Sequence, residues 1–308
     1  MANKYQIRKY VSGSREFVEI SKEEYQKIKV AKDNLFQALF IEEKLDLVLE
    51  NFFEFENSLL NTGLKNMIFR QLDYIWLQAE KRIISRNLIN LLAASALYLD
   101  HIIHHLSNIY GKSSHQFLEV KKLFSEQYDG YLSYRVMSAL RNYVQHRGFP
   151  IHEISCHMTW VNSESGRKMR FIVTPYILVS KLEEDEKFKK SVLMELKHIS
   201  EKNDIMPFLR EYISCIGTIH GRIREILKAL ISEWEATIQD AIDRYKKKLG
   251  SNVHIVGLSA LILTESEEMI ERVGLFKDYI ELRRELERKN TMLDSMPKRY
   301  VTSEFVNK

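Results

Sequence analysis

The sequence predicts a mainly α-helical fold with small β-hairpin insertions and a long C-terminal helix. Two observations carry this. Apolar residues recur at helical spacing over most of the chain. Only 11 glycines and 4 prolines interrupt 308 residues, and Leu, Ile, Glu and Lys dominate, which favours long helices over tight turns. An apolar content of 45% and a charged content of 29% are those of a chain that buries a core, as one large domain or two modest ones. The net charge of +4 and pI of about 8.8 are mildly basic, compatible with an anionic partner without demanding one. Cys156 and Cys215 lie far apart and lack metal-ligand spacing, so both are expected as reduced structural thiols. No apolar signal segment opens the chain, and no uncharged run reaches the length of a membrane span. The expectation is a soluble, cytoplasmic protein with no membrane partner.

In chain order, residues 1–30 read as a β-hairpin and a lead-in helix. Tyr5, Ile7 and Lys9 alternate with Gln6, Arg8 and Tyr10; Ser12-Gly13-Ser14 is the turn, and Phe17, Val18 and Ile20 return. Ser21 with Glu24 is a capping box that opens the helix. Residues 31–150 read as a helical bundle. Leu35, Leu39, Leu45, Val48, Leu49, Phe52, Phe53 and Leu59 mark one helix, Thr62-Gly63 is read as its break, and residues 64–80 as another helical stretch. Two long helices, 81–109 and 116–146, are joined by a few residues and are expected to pack antiparallel.

Residues 151–182 alternate as a second β-hairpin, turning at Asn162–Gly166, and are expected to pair with the first because a lone hairpin is marginal in water. Residues 183–308 read as a C-terminal helical region packed on the bundle. It holds helices at 183–200, 206–248 and 265–290; 253–262 is ambiguous between strand and loop. Lys246-Lys247-Lys248 and Gly250 end the longest helix as cations and a following glycine should.

The most informative stretch closes the helix at 146. Val136, Leu140, Tyr143 and Val144 form its apolar stripe, and Arg141, Asn142, Gln145, His146 and Arg147 are strongly polar; Gly148 and Pro150 then stop it. RNA can be cleaved without metal when its 2′-hydroxyl attacks the adjacent phosphorus. That reaction needs a proton-transfer group near pH 7 and a fixed cation against the phosphoryl charge. His146 suits the first role and Arg141 the second; Asn142, one turn before His146, would orient the imidazole or bond the ribose. Arg141 and His146 stand about 140° apart around an ideal helix. A homodimer would therefore place two copies around one cleft.

An Arg-Asn pair followed four residues later by His, at the end of the second of two antiparallel helices, resembles the motif of the HEPN superfamily. The resemblance covers roughly residues 81–146. It implies a HEPN-like antiparallel bundle and a metal-independent endoribonuclease with no cofactor. It also implies a composite site at a dimer interface, and a setting in bacterial antiviral defence or a toxin-type system with an antitoxin or defence partner. Asp100, on the preceding helix, and Arg147 would be auxiliary residues. Arg135, Tyr143, Arg167 and Lys168, with Arg170 nearby, would bind RNA through charge and stacking. The alternative is a non-catalytic dimeric scaffold or partner-binding subunit in which the cluster caps a helix.

His101, His104 and His105 place two imidazoles one turn apart, but Ile102 stands where a zinc protease needs Glu, and no metal site is expected. Arg86-Asn87 reads as salt bridging at the core edge, and Gly221 as a close helix crossing.

Overall fold

The computed structural model describes residues 3–10, 16–163, 166–250, 254–291 and 293–301. The turn read at 12–14 lies outside them, as do residues 302–308 and the middle of the turn at 162–166. The protein is mainly helical, with eight α-helices and two antiparallel sheets among the described residues. The sheets have four and three strands, more than the small hairpin insertions expected.

The elements in order are β1 (Lys4–Lys9), β2 (Phe17–Glu19), α1 (Lys22–Phe69), α2 (Tyr74–Tyr110), α3 (His115–Gly130) and α4 (Leu132–His146). Then come β3 (Glu153–Ser163), β4 (Gly166–Leu178), α5 (Val179–Glu183), α6 (Lys190–Ile199), β5 (Lys202–Asp204) and α7 (Ile205–Leu249). β6 (Leu258–Leu263), β7 (Met269–Gly274), α8 (Asp278–Lys289) and a 3-10 turn at Met296–Lys298 close the chain.

The chain divides into two compact units, each drawn from three stretches: 1–43, 104–111 and 223–291, and 44–103, 112–222 and 292–308. This division does not follow the four consecutive segments read from the sequence. The first unit holds the sheet β2-β1-β6-β7. Its core gathers Ile7, Tyr25, Leu35, Ile238, Tyr245, Ala260 and Leu275. The second unit holds the sheet β3-β4-β5, and Phe55, Leu88, Leu91, Tyr98, Val136, Leu140, Ile177 and Ile213 are buried in it.

The capping box forms as read. Glu24 N–H donates to Ser21 Oγ at 3.1 Å, and Ser21 N–H donates to the Glu24 carboxylate at 2.7 Å. Two otherwise orphan amides at the start of α1 are satisfied reciprocally. Replacing Ser21 with alanine should cost about 1 kcal/mol, measurable as a lower urea midpoint; an unchanged midpoint would mean the cap is idle.

Three expectations are corrected. Thr62-Gly63 does not break α1, because Thr62 Oγ1 donates back to the Ser58 carbonyl at 2.9 Å and lies 2.6 Å from Glu80 Oε2. A Cβ at Gly63 would meet the Val173 side chain at 3.7 Å. The break comes at Arg70, in the left-handed region at φ 48°, and Asp73 then accepts from Trp76 N–H to start α2. Second, the helix expected over 116–146 is two, parted at Tyr131. The Arg135 guanidinium crosses the break and donates to the carbonyls of Tyr128 and Asp129 at 3.1 and 2.7 Å. Third, the two hairpins do not share a sheet: β1 pairs with β6 (Ile7 with Ala260), and β4 pairs with β5 (Ile177 with Asn203). The ambiguous stretch contains strand β6, and Met269–Gly274, expected as helix, is β7.

Candidate functional site

α4 presents a buried face and an open one. Val136, Met137, Leu140 and Tyr143 are buried, and Asn142, Gln145 and His146 are exposed. The helix stops at His146 as expected, though not through a left-handed glycine: Arg147 takes the cap position with φ −132° and donates its N–H to the Tyr143 carbonyl at 2.8 Å.

Asn142 and His146 line one depression of about 110 Å³, with Tyr128 and Ser138 on one side and the loop Asp185–Lys189 on the other. Asp185 is buried and holds the Arg147 guanidinium at 3.1 Å while accepting from Lys187 N–H at 3.2 Å. Lys187 and Lys189 are exposed at the rim, and Lys189 Nζ donates to Tyr128 Oη at 2.6 Å.

Arg141 does not line this depression. It is half-buried, its Nε is buried without a hydrogen-bond partner, and its charge acts on the Tyr212 phenol instead. The angular offset seen in the sequence thus persists within the chain: Asn142 and His146 come together, Arg141 does not join them. Asp100 is exposed. Among the buried groups of its helix is Tyr98, whose Oη lies 3.0 Å from His220 Nδ1.

The expected RNA-binding residues divide. Besides bracing the break at Tyr131, Arg135 pairs with Glu195 at 2.7 Å. Tyr143 is buried edge-on against His152 and Phe188, which leaves no open face for a base. Arg167 is exposed on β4, its guanidinium 5.3 Å from the Trp160 ring centre, and Lys168 is half-buried beside it. Sequence reading missed Lys187 and Lys189 by extending a helix across 183–200. Lys187-Phe188-Lys189-Lys190, basic residues around one aromatic, is the signal that marks the loop.

His152 braces the back of the site. Leu178 N–H donates to its Nδ1 at 3.0 Å, so the neutral ring carries its proton on Nε2, facing Tyr143 Oη at 3.4 Å. Burial, reinforced by Lys81 and Lys181, lowers its pKa to about 4. The unfolded chain, with an ordinary histidine near 6.5, takes up a proton first as pH falls. Stability should therefore be full above about pH 6.5 and decline toward pH 4. A urea midpoint that falls less steeply over this window in His152→Gln than in wild type would verify it; parallel curves would refute it.

The other clusters are plainer. His105 is buried with Nδ1 2.5 Å from Gln37 Oε1, and His104 contacts Asn108. Among the described residues, no group of three or more His, Cys, Asp or Glu is placed to hold a metal ion. Burial raises the Cys156 thiol and pushes that of Cys215 up to about 12, which suppresses thiolate chemistry. Asn87 donates to the Glu54 carbonyl at 3.3 Å, and Arg86 is exposed. A Cβ on Gly221 would meet open space; the close approach falls at Gly217, against Leu293.

The fold and site define a mainly helical protein with a polar, lysine-rimmed depression at a helix end. No family model, curated protein or solved structure matches the chain. No described helix is long and apolar enough to cross a membrane.

Proposed function

We propose that the protein is a metal-independent endoribonuclease of HEPN type. The observation that carries the reading is the convergence of Asn142 and His146 on one depression that Lys187 and Lys189 also line. In this reading the 2′-oxygen of RNA bonds to phosphorus and the bond to the 5′-oxygen breaks. His146 takes the proton from the 2′-hydroxyl, and the leaving oxygen gains one in turn. Products end in a 2′,3′-cyclic phosphate and a 5′-hydroxyl. The cations beside the phosphate in one chain are Lys187 and Lys189, and Arg141 serves only if a second copy brings it to the site. One chain supplies one imidazole, so the reading calls for a homodimer, and bacterial defence or a toxin-type system is its proposed setting.

The test is incubation of the purified protein with RNA in EDTA, with end-group analysis of the products. Cyclic-phosphate ends that vanish in His146→Ala support the reading; equal background cleavage by both proteins ends it. One observation favours a second reading, a non-catalytic helical scaffold: Arg141 does not line the depression that Asn142 and His146 share.

A further inference from the structure

The second half of α1 carries an apolar stripe with nothing on it. Phe53, Leu60, Leu64 and Met67 are each 48–60% exposed. With Asn57 they fall at alternating steps of four and three residues, the spacing of a coiled-coil seam rather than of a helix packed in a globular core. The seam runs for about 21 Å along the helix. It continues into the turn before α2, where Ile68, Phe69, Tyr74 and Ile75 are 56–79% exposed. Together these side chains offer roughly 1,000 Å² of apolar surface. An ordinary monomer's largest patch is about 300–600 Å², and each partner of a standard interface buries about 800 Å².

The seam's own chemistry selects the occupant. Asn57 is its one polar position and has no hydrogen-bond partner among the described residues. An apolar partner would strand that amide on burial, whereas the same residue of a second copy satisfies it, the way a single seam asparagine fixes register and oligomer state. The flanks suit self-pairing as well. Glu56 is already held by Arg210 at 2.7 Å, and Asn61 and Gly63 are uncharged, so Glu54 is the one flank charge left to repel its copy. A membrane surface or RNA would call for a basic flank, and Lys65 is paired with Glu80 at 2.8 Å. We infer that α1 between Phe53 and Met67 is a self-association seam, on which a second copy of this chain packs helix against helix.

Sedimentation of the full chain tests this. Wild type should run as a dimer in the micromolar range. Leu60→Glu with Leu64→Glu should weaken association 100-fold or more while leaving the circular-dichroism melt in place, because both leucines are already in water within one chain. Asn57→Leu should keep the chains associated but broaden the distribution to higher oligomers. The inference falls if wild type is monomeric, if the double variant dimerises as wild type does, or if the monomer instead floats with lipid vesicles. The seam does not depend on the ribonuclease reading. A monomeric double variant that still cleaves RNA leaves the seam standing and removes the two-chain site; a seam-dependent dimer that never cleaves leaves the seam standing and removes the ribonuclease reading.

Discussion

Replacing His146 with alanine should lower RNA cleavage by about 10² to 10⁴-fold, the usual contribution of a positioned general acid–base group. The residue is exposed at the end of α4 and makes no side-chain hydrogen bond among the described residues, so the variant should fold as wild type does. Loss of activity would then report chemistry rather than unfolding. Lys187→Ala with Lys189→Ala should weaken RNA binding and flatten its salt dependence, because each lysine removed takes away a released counterion. Arg141→Ala separates the two proposed geometries. Full activity in this variant assigns the phosphate to the lysines of one chain, and a loss as deep as that of His146→Ala assigns it to an arginine brought by the second copy. If His146→Ala cleaves as well as wild type, any ribonuclease activity belongs elsewhere and the scaffold reading takes its place.

The largest stability effect is expected at Arg224. Its Nε and Nη2 donate to the two carboxylate oxygens of Glu42 at 2.9 and 2.6 Å, and its Nη1 donates to the Asn290 carbonyl at 3.0 Å. The Glu42 side chain is only 4% exposed. Arg224→Met would leave a carboxylate sealed in the first unit without its countercharge, at a cost of about 3–5 kcal/mol. The pair itself need not be worth that much, since two charges lose hydration when they are buried together. The double replacement Glu42→Leu with Arg224→Met should therefore recover most of the loss. Urea unfolding of the three proteins measures both effects, and a loss below about 1 kcal/mol in the single variant would mean that water reaches the pair.

What the sequence discloses here depends on how local the cause is. The capping box at Ser21 and Glu24 is legible because both partners lie within one turn. The hairpin of β3 and β4 is legible because its alternation is long. Thr62-Gly63 misleads because the groups that keep the helix intact there, Glu80 and Val173, come from other elements. The break at Tyr131 has a local sign in Gly130, but the helical periodicity on both sides overrides it. Pairing of β1 with β6 is hidden because Leu258–Leu263 is a short apolar run that reads equally as strand or core segment. At the site, residues one helical turn apart were read correctly as neighbours: Asn142 and His146 share a depression. Lys187 and Lys189 reach it from a separate loop, and no spacing rule along α4 could have supplied them.

The pairing of Ile7 with Ala260 also sets a timetable for synthesis. β6 leaves the ribosome roughly 250 residues after β1. At roughly 5–20 residues per second, β1 waits ten seconds or more with an open hydrogen-bonding edge. Its alternation includes Lys4, Arg8 and Lys9, charges of the kind that discourage an unpaired strand from joining a neighbouring chain. The four-stranded sheet closes only after β6 has been made, so a truncated product ending before residue 258 carries β1 with no β6 to receive it.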